Sequence, residues 1–144
     1  MRALIVDDSP TARALARIAL EDAAAELELV LDVDEAGGGV EALRVLTCED
    51  VAVLIVDLHM PDVHGLEVLS FWRGRVRVDR PHCAVVISTE VSPRDREKAL
   101  ERGPVAFVDK PVSSQALVGA LASLAGSGAV AAALPSTPPA SSEA

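Results

Sequence analysis

The stretch VLIVDLHMPDVHG at residues 53–65 decides the fold class of this chain. It begins as an unbroken aliphatic run that changes abruptly at Asp57, and Pro61 and Gly65 then mark a turn. Continuous aliphatic runs are typical of parallel strands that are covered on both faces. An Asp after such a strand often caps the following helix, so Asp57 by itself has two interpretations. The rest of the chain decides between a helix cap and a functional carboxylate.

Five strand-like runs alternate with helical segments along the chain. They are RALIVD at 2–7, LVLDVD at 29–34, VAVLIVD at 51–57, CAVVIS at 83–88 and VAFVD at 105–109. The second run is the most polar, which predicts an edge strand. Strict alternation predicts a parallel sheet with right-handed crossovers and helices on both faces. Five strands indicate the doubly wound order 2-1-3-4-5, which is an α/β, flavodoxin-like fold with five helices.

Two helices have recognisable first residues. Ser9-Pro10 and Ser92-Pro93 each combine a capping side chain with a proline suited to the first helical turn. Gly103 is predicted to cap the end of the second of these helices. The arginine-rich segment at 73–80 follows another helix, at the end of the sheet opposite the acidic residues. A solvated loop is the favoured interpretation of that segment, and a docking patch is the alternative.

The composition excludes several classes of function. A formal net charge of −9 repels phosphate backbones, so we expect no direct nucleic-acid binding. Cys48 and Cys83 form neither a disulfide framework nor a zinc pattern, and Cys83 is predicted to be a core residue. Residues 111–142 are uncharged but rich in Ala, Gly and Ser, so we expect no membrane span. The N-terminus lacks a signal-peptide pattern, which makes a cytoplasmic location the default expectation.

The C-terminal part of the sequence changes character after Ala125. Pro, Ser, Thr and Ala follow without apolar periodicity, so we predict a domain over 1–126 and a flexible tail or linker over 127–144. The preceding helix, VSSQALVGALASLAGSG, carries no charge on any face. Either the tail covers this helix or it binds a partner or a second copy, and the partner or dimer surface is favoured.

Polar residues stand at the carboxyl ends of four predicted strands. Asp7-Asp8 follows the first, Asp57 the third, Ser88 the fourth and Lys110 the fifth. The predicted topology brings these ends to one edge. Three mutually close carboxylates would repel by on the order of 10 kcal/mol, comparable with a domain's stability of ~5–15 kcal/mol. Either some of the acids are protonated or a cation occupies the site, and oxygen-only ligands favour Mg²⁺ or Mn²⁺.

Lysine is rare in this chain, and one of the two lysines stands beside the acids. Lys98 lies on a polar helix, where a solvated charge is expected. Lys110 can balance the carboxylates and contact an incoming phosphoryl oxygen. An ordinary salt bridge to an acid describes its resting state equally well.

Four motifs together resemble the receiver domains of two-component response regulators, including the single-domain chemotaxis type. They are VDD at 6–8, DLHMPDVHG at 57–65, VVISTE at 85–90 and FVDKP at 107–111. The resemblance covers about residues 1–125 and implies a signalling switch, one that catalyses only its own phosphorylation and dephosphorylation. It implies a histidine kinase or phosphotransfer protein as phosphodonor. It also implies that the helix 4–strand 5–helix 5 face binds a downstream output protein or a second copy.

The resemblance assigns roles to the acids position by position. It implies that Asp57 is the phosphoacceptor, which attacks the phosphorus of a phosphohistidine. Asp8 and Asp57 are implied to ligate Mg²⁺ together with the main-chain carbonyl of His59, and Asp7 to act mostly through a bound water. For the side chain of His59, a loop histidine over the pocket is favoured over a metal ligand or a phosphorelay histidine.

The resemblance also assigns the residues that respond to the phosphoryl group. Lys110 is implied to contact a phosphoryl oxygen, and the Lys110-Pro111 bond is implied to be cis. The hydroxyl of Ser88 is implied to turn inward, and Phe107 to be the aromatic that moves with it. Two further hypotheses stay open: a receiver-like scaffold that signals without phosphorylation, and a phosphatase that uses Asp57 as nucleophile.

Overall fold

Five strands form one parallel sheet in the order β2-β1-β3-β4-β5, as the sequence predicted. The strands are β1 (Arg2–Val6), β2 (Asp32–Ala36), β3 (Val53–Asp57), β4 (Cys83–Ser88) and β5 (Ala106–Asp109). The helices are α1 (Pro10–Glu26), α2 (Gly39–Cys48), α3 (Gly65–Arg73), α4 (Pro93–Leu100) and α5 (Ser114–Ala129). The predicted fold class is therefore confirmed.

The computed structural model describes residues 1–129, with side-chain burial described through Leu124. Helix α5 continues past the predicted domain boundary at residue 126. Most of the tail predicted for 127–144 lies outside the described residues. Within residues 1–129, no helix combines the length and the hydropathy that a membrane span needs.

The strand side chains divide between two apolar layers, because successive residues of a strand point to opposite faces of a sheet. On β1, Leu4 and Val6 pack in the layer that includes α2 and α3. Ala3 and Ile5 pack in the opposite layer, with α1 and α5. All four side chains are completely buried. Burial on both faces explains why the central strands are continuous aliphatic runs rather than alternating ones.

Strand β2 lies later in the chain than the predicted range 29–34. Its ladder begins where the N–H of Asp32 bonds to the carbonyl of Met1 at 2.9 Å. The chain leaves α1 through Glu28, whose φ of 56° is left-handed. Leu29 and Leu31, which suggested a strand, instead pack partly buried beneath this turn. The edge position predicted for β2 is confirmed.

Both predicted helix starts are confirmed by their hydrogen bonds. The hydroxyl of Ser9 accepts from the N–H of Ala12 at 3.2 Å, and the hydroxyl of Ser92 accepts from the N–H of Asp95 at 3.1 Å. The predicted end of α4 is wrong: the helix ends at Leu100. Gly103 lies in the following turn with a φ of 147°.

The arginine-rich segment at 73–80, which begins with the last residue of α3, is not simply a solvated loop. Arg73 donates to the main-chain carbonyls of Ala99 and Gly103, at 2.5 and 2.9 Å. Arg75 donates to the carbonyl of Leu46 at 2.9 Å. The carbonyls of Ala99 and Leu46 lie in the last turns of α4 and α2, where helical carbonyls lack partners within the helix, and Gly103 lies in the turn after α4. The two guanidinium groups therefore cap neighbouring helices.

Helix α5 directs its large side chains toward the core. Leu117, Leu121 and Leu124 are buried in the layer shared with α1. The positions that face solvent are occupied by small or polar residues such as Gly119 and Ser123. Helix α5 therefore has small or polar uncharged residues at its exposed positions. The partner or dimer surface predicted for this helix stays a prediction.

Candidate functional site

The carboxyl ends of β1, β3 and β5 bring together three aspartates and one lysine. One carboxylate oxygen each from Asp7, Asp8 and Asp57 lies within 4.8 Å of the others. Lys110 Nζ lies 2.8 Å from Asp7 Oδ2 and 3.3 Å from Asp57 Oδ2. A single ammonium group therefore bridges the acids of two adjacent strands.

Strand register and one glycine place the two buried acids. Val6 pairs with Val56 in the parallel ladder, so Asp7 and Asp57 emerge side by side. Helix α3 begins directly against the end of β3, and a Cβ on Gly65 would lie 2.2 Å from the carbonyl oxygen of Asp57. Only glycine fits at this close approach.

The acidic cluster carries more negative charge than its lysine balances. Three carboxylates and one ammonium leave a formal charge of −2. Asp7 is completely buried and Asp57 is 5% exposed, whereas Asp8 is exposed. Burial raises the pKa of Asp57, and the charge of Lys110 opposes that rise while the charge of Asp7 adds to it. Ionised Asp57 is therefore under electrostatic strain in the resting protein.

Lys110 remains a cation despite its partial burial. Burial by itself lowers its pKa, but the contact with Asp7 and the charge of Asp57 outweigh that effect and raise the pKa. The backbone N–H of Lys110 also donates to the carbonyl of Ser88 at 3.1 Å, which joins the ends of β4 and β5. The Lys110-Pro111 peptide bond is cis.

The donors at this edge fit a hard divalent cation. Asp7 Oδ2 is buried, and within residues 1–129 its donor is the ammonium of Lys110 alone. The backbone N–H of His59 acts to lower the pKa of Asp57, which places the start of the β3–α3 loop at the cluster. Carboxylates and main-chain carbonyls are the ligands that Mg²⁺ prefers in proteins. The excess negative charge of this cluster is what such an ion would relieve.

The two predicted switch residues lie beside the cluster but are engaged elsewhere. Ser88 is 1% exposed, and its hydroxyl donates to the carbonyl of Glu90 at 2.9 Å and accepts from the Glu90 N–H at 3.2 Å. Phe107 is partly buried against α4, and the guanidinium of Arg96 lies 4.2 Å from its ring centroid. The hydrogen bonds of Ser88 and the cation–π contact of Phe107 are therefore made with residues outside the cluster.

Two residues support the site without having been identified in the sequence. Arg13 donates to the main-chain carbonyl of Asp7 at 2.7 Å and pairs with Glu35 on the neighbouring strand. Asp62 accepts from two backbone N–H groups at the start of α2. The sequence contained an indication of a residue such as Asp62. The three glycines at 37–39 offer no capping side chain for α2, so a cap from elsewhere in the chain could have been expected. Arg13 gave no such signal.

A family model described as the response regulator receiver domain matches residues 3–122. The chain belongs to this family. Receiver domains are switches of two-component signalling systems that interact with kinases and output domains.

The relatives of this receiver domain include both free-standing and multidomain proteins. It is 35% identical over 130 residues to a chemotaxis protein CheY homolog of Campylobacter jejuni, covering 89% of this chain and 95% of that protein. It is also 35% identical over 114 residues to a Hahella chejuensis protein-glutamate methylesterase/protein-glutamine glutaminase, covering 77% of this chain but 30% of that protein. The free-standing relative matches this chain nearly end to end.

Solved structures show the same fold. The chemotaxis protein CheY4 of Vibrio cholerae is 25% identical with a TM-score of 0.66, covering 85% of this chain and 97% of that one. A CheY-like receiver domain of Methanospirillum hungatei is 23% identical with a TM-score of 0.71, covering 88% of this chain and 94% of that one. At that identity the second comparison supports the fold alone.

Proposed function

We propose that this receiver accepts a phosphoryl group on Asp57 from a phosphohistidine, in a reaction that depends on Mg²⁺ or Mn²⁺. The observation that carries the proposal is the ammonium of Lys110, which bridges two buried aspartates at 2.8 and 3.3 Å. A buried, over-charged acidic cluster has no advantage for folding, since burying unbalanced charge is costly. The arrangement is suited to receive a cation and a phosphoryl group.

The transfer uses a carboxylate oxygen of Asp57 as the nucleophile. This oxygen forms a bond to phosphorus while the phosphorus–nitrogen bond of the donor breaks, and the imidazole leaves. Contact with Lys110 favours the ionised, nucleophilic form of Asp57, against the burial that raises its pKa. Phosphoryl transfer depends mostly on positioning and on neutralising charge at the equatorial oxygens. Lys110 is placed to contact one of those oxygens.

Asp8, Asp57 and the main-chain carbonyl of His59 would hold the cation, with Asp7 acting through a bound water. When bound, Mg²⁺ supplies charge neutralisation for the transferring group. Asp7 anchors Lys110 at 2.8 Å, so the lysine keeps its position when Asp57 is modified. Of the two buried acids, Asp57 would accept the phosphoryl group and Asp7 would hold Lys110 in place.

The phosphoryl group would change the partners of Ser88 and Phe107. The hydroxyl of Ser88 would leave Glu90 and donate to a phosphoryl oxygen, and Phe107 would move inward from beneath Arg96. Moving a two-state equilibrium from about 1:99 to 99:1 takes about 5.5 kcal/mol. Charge-assisted hydrogen bonds of about 1.5–3 kcal/mol each are sufficient in sum.

The repacked face formed by α4, β5 and α5 would bind a downstream protein or a second copy of this chain. A histidine kinase or a phosphotransfer protein would be the phosphodonor. Membership of the receiver family and the position of the switch residues beside that face support both partners.

The proposal is tested by incubating the chain with phosphoramidate and Mg²⁺ and measuring its intact mass. We expect one added phosphoryl group on the wild type and none on Asp57→Asn. The matched control is Asp109→Asn, because Asp109 is also the last residue of a strand but is exposed and outside the cluster. This control should be labelled like the wild type. Absence of label on the wild type, or equal labelling of Asp57→Asn, would contradict the proposal and favour a phosphorylation-independent scaffold.

A further inference from the structure

Helix α2 begins without a capping side chain of its own. The residue at its N-cap position is Gly38, which has no side chain to accept a hydrogen bond. Glycine there leaves the first backbone N–H groups of the helix unsatisfied, whereas Ser, Thr, Asn or Asp would satisfy one of them. The partner for these groups therefore has to come from elsewhere in the chain.

Asp62, in the loop between β3 and α3, supplies the missing acceptor. Its two carboxylate oxygens accept from the N–H groups of Gly39 and Val40, each at 3.0 Å. The same carboxylate accepts from the N–H of Val63 at 2.8 Å, within its own loop. These backbone bonds lower the pKa of Asp62, so the carboxylate is charged at neutral pH. One side chain thus ties the loop to the helix.

The glycines at the start of α2 are what let the loop come this close. A Cβ on Gly39 would lie 2.3 Å from Cβ of Val63. A Cβ on Gly38 would lie 2.9 Å from a carboxylate oxygen of Asp62. The contact is a close packing of loop against helix and not an incidental surface interaction.

The tied loop also carries the residues nearest to the cation site. At its inner end, Leu58 is completely buried and its carbonyl accepts from the N–H of Gly65 at 2.8 Å. His59 follows, and its backbone N–H acts to lower the pKa of Asp57. Between these anchors and α3, the carboxylate of Asp62 is the polar side chain that connects the loop to a neighbouring helix.

We propose that Asp62 is a positioning residue for the cation site, because it holds the β3–α3 loop against α2 and thereby fixes the backbone of His59. This inference rests on the proposed function. Residues behind the direct ligands of a metal typically change affinity or activity by about 10–100-fold when mutated. Asp62 acts through the loop and not on a ligand directly, so we expect its mutation to weaken Mg²⁺ binding by about tenfold, the lower end of that range.

The experiment compares four variants by calorimetric titration with Mg²⁺ and by phosphoramidate labelling across a series of Mg²⁺ concentrations. Asp62→Ala removes the tie, and Asp62→Asn keeps one oxygen acceptor. Arg75→Met is the matched control, because Arg75 caps the other end of the same helix. The double variant Gly38→Asn with Asp62→Ala gives α2 a capping side chain of its own while leaving the loop untied.

We expect Asp62→Ala to weaken Mg²⁺ binding about tenfold and to raise the Mg²⁺ concentration for half-maximal labelling by the same factor. Saturating Mg²⁺ should restore the labelling rate, and Asp62→Asn should recover part of the affinity. Arg75→Met should destabilise the protein with unchanged Mg²⁺ affinity. The double variant should recover thermal stability while its Mg²⁺ affinity stays weak.

Two results would overturn the inference. One is an Asp62→Ala protein with wild-type Mg²⁺ affinity. The other is recovery of that affinity in the double variant, which would show that capping of α2 suffices and the tie does not matter. Failure of the proposed function is recognised separately, since the wild type itself would then show no labelling at any Mg²⁺ concentration.

Discussion

Both ends of the sheet carry several charged side chains, but the partners of these charges differ between the two ends. At the carboxyl ends of the strands, three aspartates face one lysine, which leaves a formal charge of −2. At the amino ends, Arg73 and Arg75 find main-chain carbonyls at the ends of two helices. The cluster at the carboxyl ends has a net negative charge, whereas the arginines at the amino ends satisfy backbone carbonyls.

This difference separates residues that serve chemistry from residues that serve stability. Cationic groups at helix C-termini satisfy orphan carbonyls and complement the helix dipole, so they stabilise the resting fold. Like charges packed together destabilise it and become favourable only when a ligand supplies the opposite charge. Substitutions at the two ends should therefore affect different measurements.

Among substitutions that keep the phosphoacceptor, the largest effect is expected from Lys110→Met, which removes the only cation that forms a salt bridge with the clustered carboxylates in the described part of the chain. The initial rate of phosphoramidate labelling should fall by about 10²-fold, the usual loss when one charge-stabilising group is removed from a transfer site. Intact-mass time courses at saturating Mg²⁺ measure this rate. A rate within about twofold of the wild type would show that Lys110 does not contribute to phosphoryl transfer.

Arg73→Met tests the opposite end of the sheet. It keeps much of the side-chain length but leaves carbonyls near the end of α4 without their donor. We expect a loss of about 2 kcal/mol in the free energy of unfolding, since an unsatisfied backbone group costs about 1–3 kcal/mol. Urea titration followed by the fluorescence of the single tryptophan measures this loss. The labelling rate should not change, and a clear fall in that rate would erase the proposed division between the two ends.

Asp57→Asn should stabilise the resting protein at neutral pH while abolishing phosphorylation. The pKa of Asp57 is raised above its ordinary value of 3.8, mainly by burial, so ionising it in the folded state costs free energy. That cost is present above the raised pKa and disappears as the pH falls below 3.8, where the carboxyl is protonated in both states. With a metal chelator present, we expect a gain of about 1 kcal/mol at pH 7 that vanishes near pH 3. A gain independent of pH would mean that the charge is not its cause.

Glu35→Gln should show the reverse dependence, at smaller size. Hydrogen bonding to Arg17 lowers the pKa of Glu35, burial opposes this, and Arg13 adds to the lowering. The stabilisation is therefore present above 4.5 and is lost as the pH falls through the lowered pKa. Because these groups are partly exposed, we expect only about 0.5 kcal/mol at pH 7.

Urea titrations of Glu35→Gln at pH 3 and pH 7, with and without added salt, measure that small effect. Salt should reduce it, because it screens partly exposed ion pairs. A gain in stability at pH 7 that vanishes at pH 3 would show that Glu35 resembles Asp57 rather than a paired acid.

Much of the fold was predictable because each central strand carries its own signal. The run CAVVIS at 83–88 matches β4 residue for residue, since both faces of that strand are buried. The polar edge strand β2 was placed too early, because the leucines that suggested a strand pack beneath a turn. Apolar residues show that a segment is buried but not whether its backbone joins the sheet.

The candidate site was predictable in its members but not in their contacts. Parallel topology alone brings residues that follow β1, β3, β4 and β5 to one edge, so the identity of the cluster follows from strand order. The distances of Lys110 to two different acids, and the engagement of Ser88 with Glu90, depend on side-chain conformations that no local pattern encodes. Likewise, nothing local indicates that Arg13 contacts the carbonyl of Asp7.

The sequence by itself determined the strand order, the helix starts at Ser9 and Ser92, and the set of charged residues at the carboxyl ends of the strands. These features follow from periodicity and capping, which act over a few residues. Only the tertiary structure decided that Asp62 caps a helix more than twenty positions away in sequence and that Arg73 caps α4. Such bonds join segments that the chain brings together only after folding, because a backbone group without a local partner takes whichever acceptor or donor packs against it.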